Sequence, residues 1–131
     1  MTLKQFDISV KDKPGEIADI AEVLSLSNVS IRGISTEKRD ENAILHIVSE
    51  DETATRKALK KAKVKFNERD VFLVQLPYKS NELANVSRRL AAEKVNIESL
   101  LVLGGRATGI DEVVIGVDNK EAAKKVLGEN A

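Results

Sequence analysis

The chain has 131 residues, with 21 lysines and arginines set against 21 aspartates and glutamates. That balance argues against nucleic acid or an anionic membrane surface as the main partner. Cysteine is absent, which excludes disulfides, zinc-thiolate sites and thiol catalysis and fits a reducing cytoplasm. The 42% hydrophobic and 32% charged residues describe a globular chain with a core, and no apolar run approaches the roughly 18–20 residues of a membrane span.

In chain order, "LKQFDISV" alternates partially through Leu3, Phe6, Ile8 and Val10 and reads as a strand. Its charge and alternation exclude a secretory signal. Ile17, Ile20, Ala21 and Leu24 then recur at i, i+3, i+4 and i+7, the stripe of an amphipathic helix. Val29–Thr36 and Ala43–Ser49 are β-branched runs around "EKRDEN", a hairpin. "EDETATRKALKKAK" is a second helix with its acids first and its bases last, as the helix dipole prefers. Val64–Asn67 is a candidate closing strand, followed by a short linker, "ERD".

The scheme then starts again: a strand at 71–77, a helix at 82–93 with Leu83, Val86, Ser87 and Leu90 on one face, strands at 95–103 and 111–117, and a helix at 119–127. The repetition is visible in identities. At an offset of 66, Glu16/Glu82, Ala18/Ala84, Leu24/Leu90, Val29/Val95 and Ile31/Ile97 agree; at 68, so do Ala54/Ala122, Lys57/Lys125 and Leu59/Leu127. The two extra residues fall in "GGRATGIDE". Strand, helix, strand, strand, helix and a closing strand is the ferredoxin-like plan. The expected fold is therefore α+β, two βαββαβ repeats at 1–69 and 70–131. Too few residues follow Leu127 for a final strand. The second sheet is expected to lack it, leaving an edge for a neighbouring chain or the other repeat to cover.

Between the first strand and first helix stands "VKDKPGEI". A helix N-terminus carries unpaired N–H groups and partial positive charge, so a carboxylate can dock there. Gly15 lets backbone approach a ligand, and Pro14 fixes φ at no cost in a first turn. Asp12 serves as N-cap or as counter-charge to an ammonium group. The same residues also make a stiff, capped corner with no ligand at all.

"VKDKPGEIADIAEVLSLSNVSI" resembles the signature of the ACT family of amino-acid-binding regulatory domains, with Asp12, Lys13, Pro14, Gly15, Glu16 and Ile17 matching its first part and Val95, Asn96, Ile97 and Glu98 its second. The resemblance covers the whole chain as two tandem copies. It implies βαββαβ domains packed side by side through their second strands, with a small effector at the junction between the Asp-x-Pro-Gly loop of one and the Asn-bearing strand of the other. The Asn96 side chain offers both a donor and an acceptor to such a ligand. The two copies differ in complementary ways. "YKSN", Tyr78–Asn81, replaces the loop in copy two, and Ser30 replaces Asn96 in copy one. The expected site is therefore Asp12, Lys13, Pro14, Gly15 and Glu16 with Asn96 and Ile97, and Tyr78–Asn81 with Ser30 is a degraded counterpart.

Other features carry less. His46, in "AILHIV", is the one histidine and lacks an evident partner for catalysis or metal binding. The six basic residues of "RKALKKAKVK" are spaced among Ala58, Leu59 and Ala62 as a solvated helix face. Aromatics are confined to Phe6, Phe66, Phe72 and Tyr78, none in the third strands, which disfavours RNA stacking. "GGRATG" precedes a strand and reads as a long flexible hairpin, not a phosphate loop. The third strands are apolar on both parities, including Val48 and Val114, which suggests dimerisation or simply the β-branched content of central strands.

The reading is a cytoplasmic, non-catalytic regulatory module with no cofactor and no metal. It takes an amino acid or similar metabolite as effector, forms a homo-oligomer, a dimer, and works by shifting assembly or the binding of a regulated partner. The alternative is an adaptor whose ligand site is vestigial.

Overall fold

The computed structural model describes residues 1–128. It contains strands β1 (Thr2–Lys11), β2 (Ile31–Arg39), β3 (Asn42–Ser49), β4 (Phe66–Pro77), β5 (Ile97–Gly104) and β6 (Ile110–Val117). The helices are α1 (Glu16–Leu26), α2 (Glu52–Lys61), α3 (Glu82–Ala92) and α4 (Lys120–Leu127). Two compact units result: Lys4–Arg69, and the chain from Asp70 onward joined by Met1–Leu3. No described helix is long and apolar enough to cross a membrane.

In the first unit the strands lie in the order β2-β3-β1-β4. Antiparallel pairing sets Phe6 opposite Ile47 and Ile8 opposite Leu45. Their alternation sends Phe6, Ile8, Leu45 and Ile47 to the helix side, where they pack with Leu24 and Leu59. In the second unit β4, β6 and β5 follow one another. Phe72, Val113 and Ile115 pack with Leu90 and Val95 there. Each second strand enters its sheet through a slip in the ladder, between Ile31 and Gly33 and between Ile97 and Ser99. The repeat seen in the sequence thus extends to an irregularity in the backbone.

Three helices end by one device. Asn28, Lys63 and Lys94 take left-handed φ values of 56°, 60° and 60°. The next residue, Val29, Val64 or Val95, donates its N–H back to the carbonyl of Leu24, Leu59 or Leu90. This is the Schellman motif. The same valines and leucines are apolar partners in or against the cores. α2 and α4 open on side-chain caps, where Asp51 Oδ1 accepts from Ala54 N–H at 3.0 Å and Asn119 Oδ1 from Ala122 N–H at 3.1 Å.

Some expectations need correction. "ERD" is not a linker, because β4 runs unbroken from Phe66 to Pro77. Its charges are met in place: Arg56 donates to both carboxylate oxygens of Glu68 (2.8 and 2.7 Å), and Lys120 Nζ lies 2.7 Å from Asp70 Oδ2. Arg56 also stands 6.0 Å from the Phe6 ring centroid, so the basic run on α2 is not wholly a solvated face. Ile17 and Leu83, placed on buried stripes by their spacing, are 46% and 41% exposed. They belong to helical first turns, and burial begins one turn later at Ile20 and Val86. Val48 and Val114 are each 1% exposed in the single chain, so their burial requires no second copy.

The N-terminal residues have an unexpected position. Met1–Leu3 group with the second unit, where the Met1 carbonyl accepts from Leu73 N–H at 2.8 Å. They lie beside β4, where a βαββαβ plan sets its closing strand. The expectation that copy two has no closing strand of its own turns on residues 129–131, which lie outside the described residues.

Two stability predictions follow from this geometry. Left-handed backbone is unfavourable for a lysine, so Lys94→Gly is expected to raise stability by roughly 0.5–1 kcal/mol in urea unfolding. The hydrogen bonds from Arg56 hold the Glu68 carboxyl below its ordinary range. A carboxyl depressed by folding contributes stability above its unfolded pKa and loses it as pH falls through the folded value. Acid unfolding of Glu68→Gln is therefore expected to depend less steeply on pH below the ordinary carboxylate pKa, about 4.

Candidate functional site

β1 ends at Lys11, and the chain turns at once. Asp12 N–H bonds to the Glu41 carbonyl at 3.0 Å, tying the corner to the β2–β3 hairpin, and Lys13 N–H bonds to the Lys11 carbonyl. The Lys13 carbonyl then accepts from Glu16 N–H at 3.5 Å. Gly15 has φ 93° and ψ −16°, the third-position values of a type II turn, with Pro14 at the second. A Cβ on Gly15 would meet nothing within 4 Å. The glycine is thus demanded by its backbone angle, not by crowding.

This geometry changes three roles read from the sequence. Gly15 is the N-cap of α1, and no side chain caps the helix. Asp12 is not the cap. Its Oδ2 lies 3.3 Å from Lys38 Nζ, a surface pair between exposed partners. Pro14 precedes the helix and does not sit in its first turn. The first helical bond runs from Asp19 N–H to the Gly15 carbonyl. The amides of Ile17 and Ala18 therefore open from an uncapped N-terminus.

The second copy keeps the skeleton and changes the turn. Tyr78 N–H bonds to the Gly109 carbonyl as Asp12 does to Glu41, and Glu82 N–H to the Lys79 carbonyl as Glu16 does to Lys13. Asn81, however, has φ −102° and ψ −6°, type I values. Types I and II differ by a flip of the central peptide. The Gly15 amide is thus turned the opposite way from that of Asn81. The "GGRATG" segment joins the antiparallel strands β5 and β6, as expected of a hairpin. It holds a short 3-10 turn at Arg106–Thr108, closed by Thr108 N–H and Oγ1 on the Gly105 carbonyl. A Cβ at Gly105 would strike the Ile110 carbonyl oxygen at 1.8 Å.

Asn96 lies in the second unit, exposed, one residue before β5. Its backbone is clamped by Asp118: Asn96 N–H donates to Asp118 Oδ1 at 2.9 Å, and its carbonyl accepts from Asp118 N–H at 3.2 Å. Its side-chain amide makes no hydrogen bond among the described residues. Ile97 is half-buried and opposite Val117. The structure thus groups Asp12–Glu16 in one unit and Asn96–Ile97 in the other.

Sequence reasoning missed a cluster around His46. Its Nδ1 is 2.6 Å from Asp7 Oδ1, its Nε2 is 3.2 Å from Glu37 Oε1, and Gln5 Nε2 donates to Asp7 Oδ1 at 2.9 Å. The carboxylates flank opposite ring nitrogens, and the described residues hold no metal-binding group of three. Only strand register sets Asp7 opposite His46.

Comparison with known proteins agrees with a paired-domain fold. The family model of the ACT domain pair matches residues 1–131. The chain belongs to the ACT domain pair family. A crystal structure of a protein from Bacteroides thetaiotaomicron is similar to this ACT domain pair at TM-score 0.90 and 28% identity, covering 97% of this chain and 87% of that one. The ligand-free regulatory subunit of aspartate kinase from Thermus thermophilus shares the fold at TM-score 0.64 and 16% identity, covering 96% and 89%. The Thermus flavus regulatory subunit does so at 0.64 and 17%, covering 96% and 90%. No curated protein sequence matches at a significant level.

The corner is tested by its backbone. Gly15→Ala is expected to cost about 1–2 kcal/mol in urea unfolding, because φ 93° is left-handed. Asn81→Ala, at an ordinary φ and with no capping hydrogen bond, is expected to stay within about 0.5 kcal/mol.

Proposed function

We propose that this ACT domain pair is a non-catalytic regulatory module for an amino acid or similar small metabolite. The residues assigned to the effector are Asp12, Lys13, Pro14, Gly15 and Glu16, with Asn96 and Ile97. The observation that carries the reading is the α1 N-terminus: a type II turn ends in a left-handed glycine, and no side chain occupies the cap. An α-carboxylate fits such an end, where N–H groups and the helix dipole favour negative charge. The ligand's ammonium group competes with Lys38 for Asp12. That exchange is cheap, because a surface pair of this kind is worth about 0–1 kcal/mol. The exposed Asn96 amide supplies a mixed donor and acceptor.

Binding acts by favouring one assembly or one partner complex over another, to the extent that affinity differs between them. Two aspartate kinase regulatory subunits share the fold, which supports a regulatory role by analogy. Ile34 on β2 and Leu100 and Val102 on β5 are exposed. β2 and β5 lie at the outer ends of the strand order in their units, which supports a homo-oligomer, a dimer, formed through strand edges.

The test is a thermal-unfolding screen against the common amino acids. A ligand at 100 times its Kd stabilises by about 2.7 kcal/mol, which is several degrees for a chain of this size. A shift with one or a few amino acids is expected, lost in Asp12→Ala and Asn96→Ala and kept in Tyr78→Ala. No shift with any of them overturns the reading and leaves an adaptor with a stiff corner.

A further inference from the structure

The first unit contains a cleft of about 620 Å³ between α1, the end of β1 and the segment joining α2 to β4. Its floor is apolar, with Val10, Ile20, Val23 and Val64. Its rim carries four ammonium groups, Lys11, Lys13, Lys63 and Lys65, against two carboxylates, Glu16 and Asp19. Lys13 is drawn to Glu16, 3.9 Å away. Lys11, Lys63 and Lys65 make no ion pair among the described residues. In a chain with equal numbers of acids and bases, this is a local surplus of positive charge over an apolar surface.

The surplus follows from chain geometry. Lys63 is the left-handed residue that ends α2, and Val64 turns inward to the core as its Schellman partner. Strand β4 begins only at Phe66. The segment 63–65 therefore has lysines on both sides of an apolar anchor, beside the end of β1.

The second unit carries a different residue at one wall position. The position of Val23 is held there by Arg89, whose guanidinium donates to the Val126 carbonyl in the last turn of α4. An arginine there spans the helix pair and caps a helix C-terminus. Valine at 23 makes no such bond and leaves an apolar wall to the cleft.

We propose that the cleft of the first unit is a binding site for a small organic anion with an apolar body, an aliphatic or aromatic carboxylate or sulfonate. The anionic head sits among Lys11, Lys63 and Lys65, and the body covers Val10, Val23 and Val64. An apolar cavity with a few placed charges suits such a ligand. A zwitterion gains less, because its own ammonium group meets the same lysines. The site shares Lys13 and Glu16 with the corner, but its floor does not include Pro14 or Gly15. It stands or falls apart from the amino-acid reading.

The probe is anilinonaphthalene sulfonate, titrated into the native full chain. The protein has no tryptophan, so dye emission is read without indole background. A saturable rise in emission is expected, weakened by added salt. It is expected to be lost in the double variant Lys63→Glu, Lys65→Glu and in Val23→Glu, which sets a carboxylate on the floor. It is expected to persist in Lys57→Glu, Lys60→Glu, which makes the same charge change on α2 outside the cleft. If Val23→Glu fails to fold, the double lysine variants decide. No saturable emission overturns the proposal. Equal emission from the two double lysine variants, or retained emission in a folded Val23→Glu, also overturns it.

Discussion

A strand that opens a βαββαβ sheet has two sides to satisfy, and its backbone groups cannot be left dry and unpaired on either. The third strand takes one side; the other requires a strand that returns late in the chain. In this protein β4 meets that constraint for the first unit with Phe66–Arg69, where it lies next to β1. It then continues without a break as the opening strand of the second unit. The N-terminal residues Met1–Leu3 lie on the free side of that opening strand. Nothing in the local pattern of "ERD" announces this. Its charges look like a linker until Arg56 and Lys120 are seen to meet Glu68 and Asp70.

The helices are held at their ends as much as along their faces. The same return bond, from a valine N–H to a leucine carbonyl five residues earlier, ends α1, α2 and α3. It joins a buried leucine to a buried or half-buried valine that starts the next segment, and so fixes where each strand enters. The cost is a left-handed residue that in no case is glycine. Asparagine tolerates that conformation better than lysine does. The lysine at 63 has a further effect, because it delivers charge to the mouth of the cleft below α1.

The two corners show how one hydrogen-bond skeleton supports different surfaces. A hairpin carbonyl grips the residue after the first strand in both units, and a three-residue return bond starts both helices. Pro14 and Gly15 select one orientation of the central peptide, and Ser80 and Asn81 the other. A change of two residues leaves the fold intact and alters what the helix N-terminus presents. Glycine at this turn has a sufficient reason in its φ value alone. Its presence in the motif is therefore not by itself a sign of a ligand, and α3 shares the missing side-chain cap; what sets the α1 corner apart is the orientation of its turn peptide.

The sequence by itself determined the duplication, the order of elements, the apolar anchors of both cores and the place of the corner. All of these depend on interactions within about one helical turn or one strand, and such periodicities survive in the linear pattern. Tertiary structure decided the rest. Asp7 and Glu37 meet His46 because antiparallel register and its diagonal bring three strands together across 9 and 39 residues. Ile17 and Leu83 keep helical spacing yet stand exposed, because a stripe predicts a face but not how far the neighbouring sheet extends beneath it. Asp12 has the chemistry of a cap, but the type II turn moves the helix start to Gly15 and leaves the aspartate to Lys38. Each of these outcomes is set by a partner distant in sequence, and a linear pattern carries no record of which distant partner arrives.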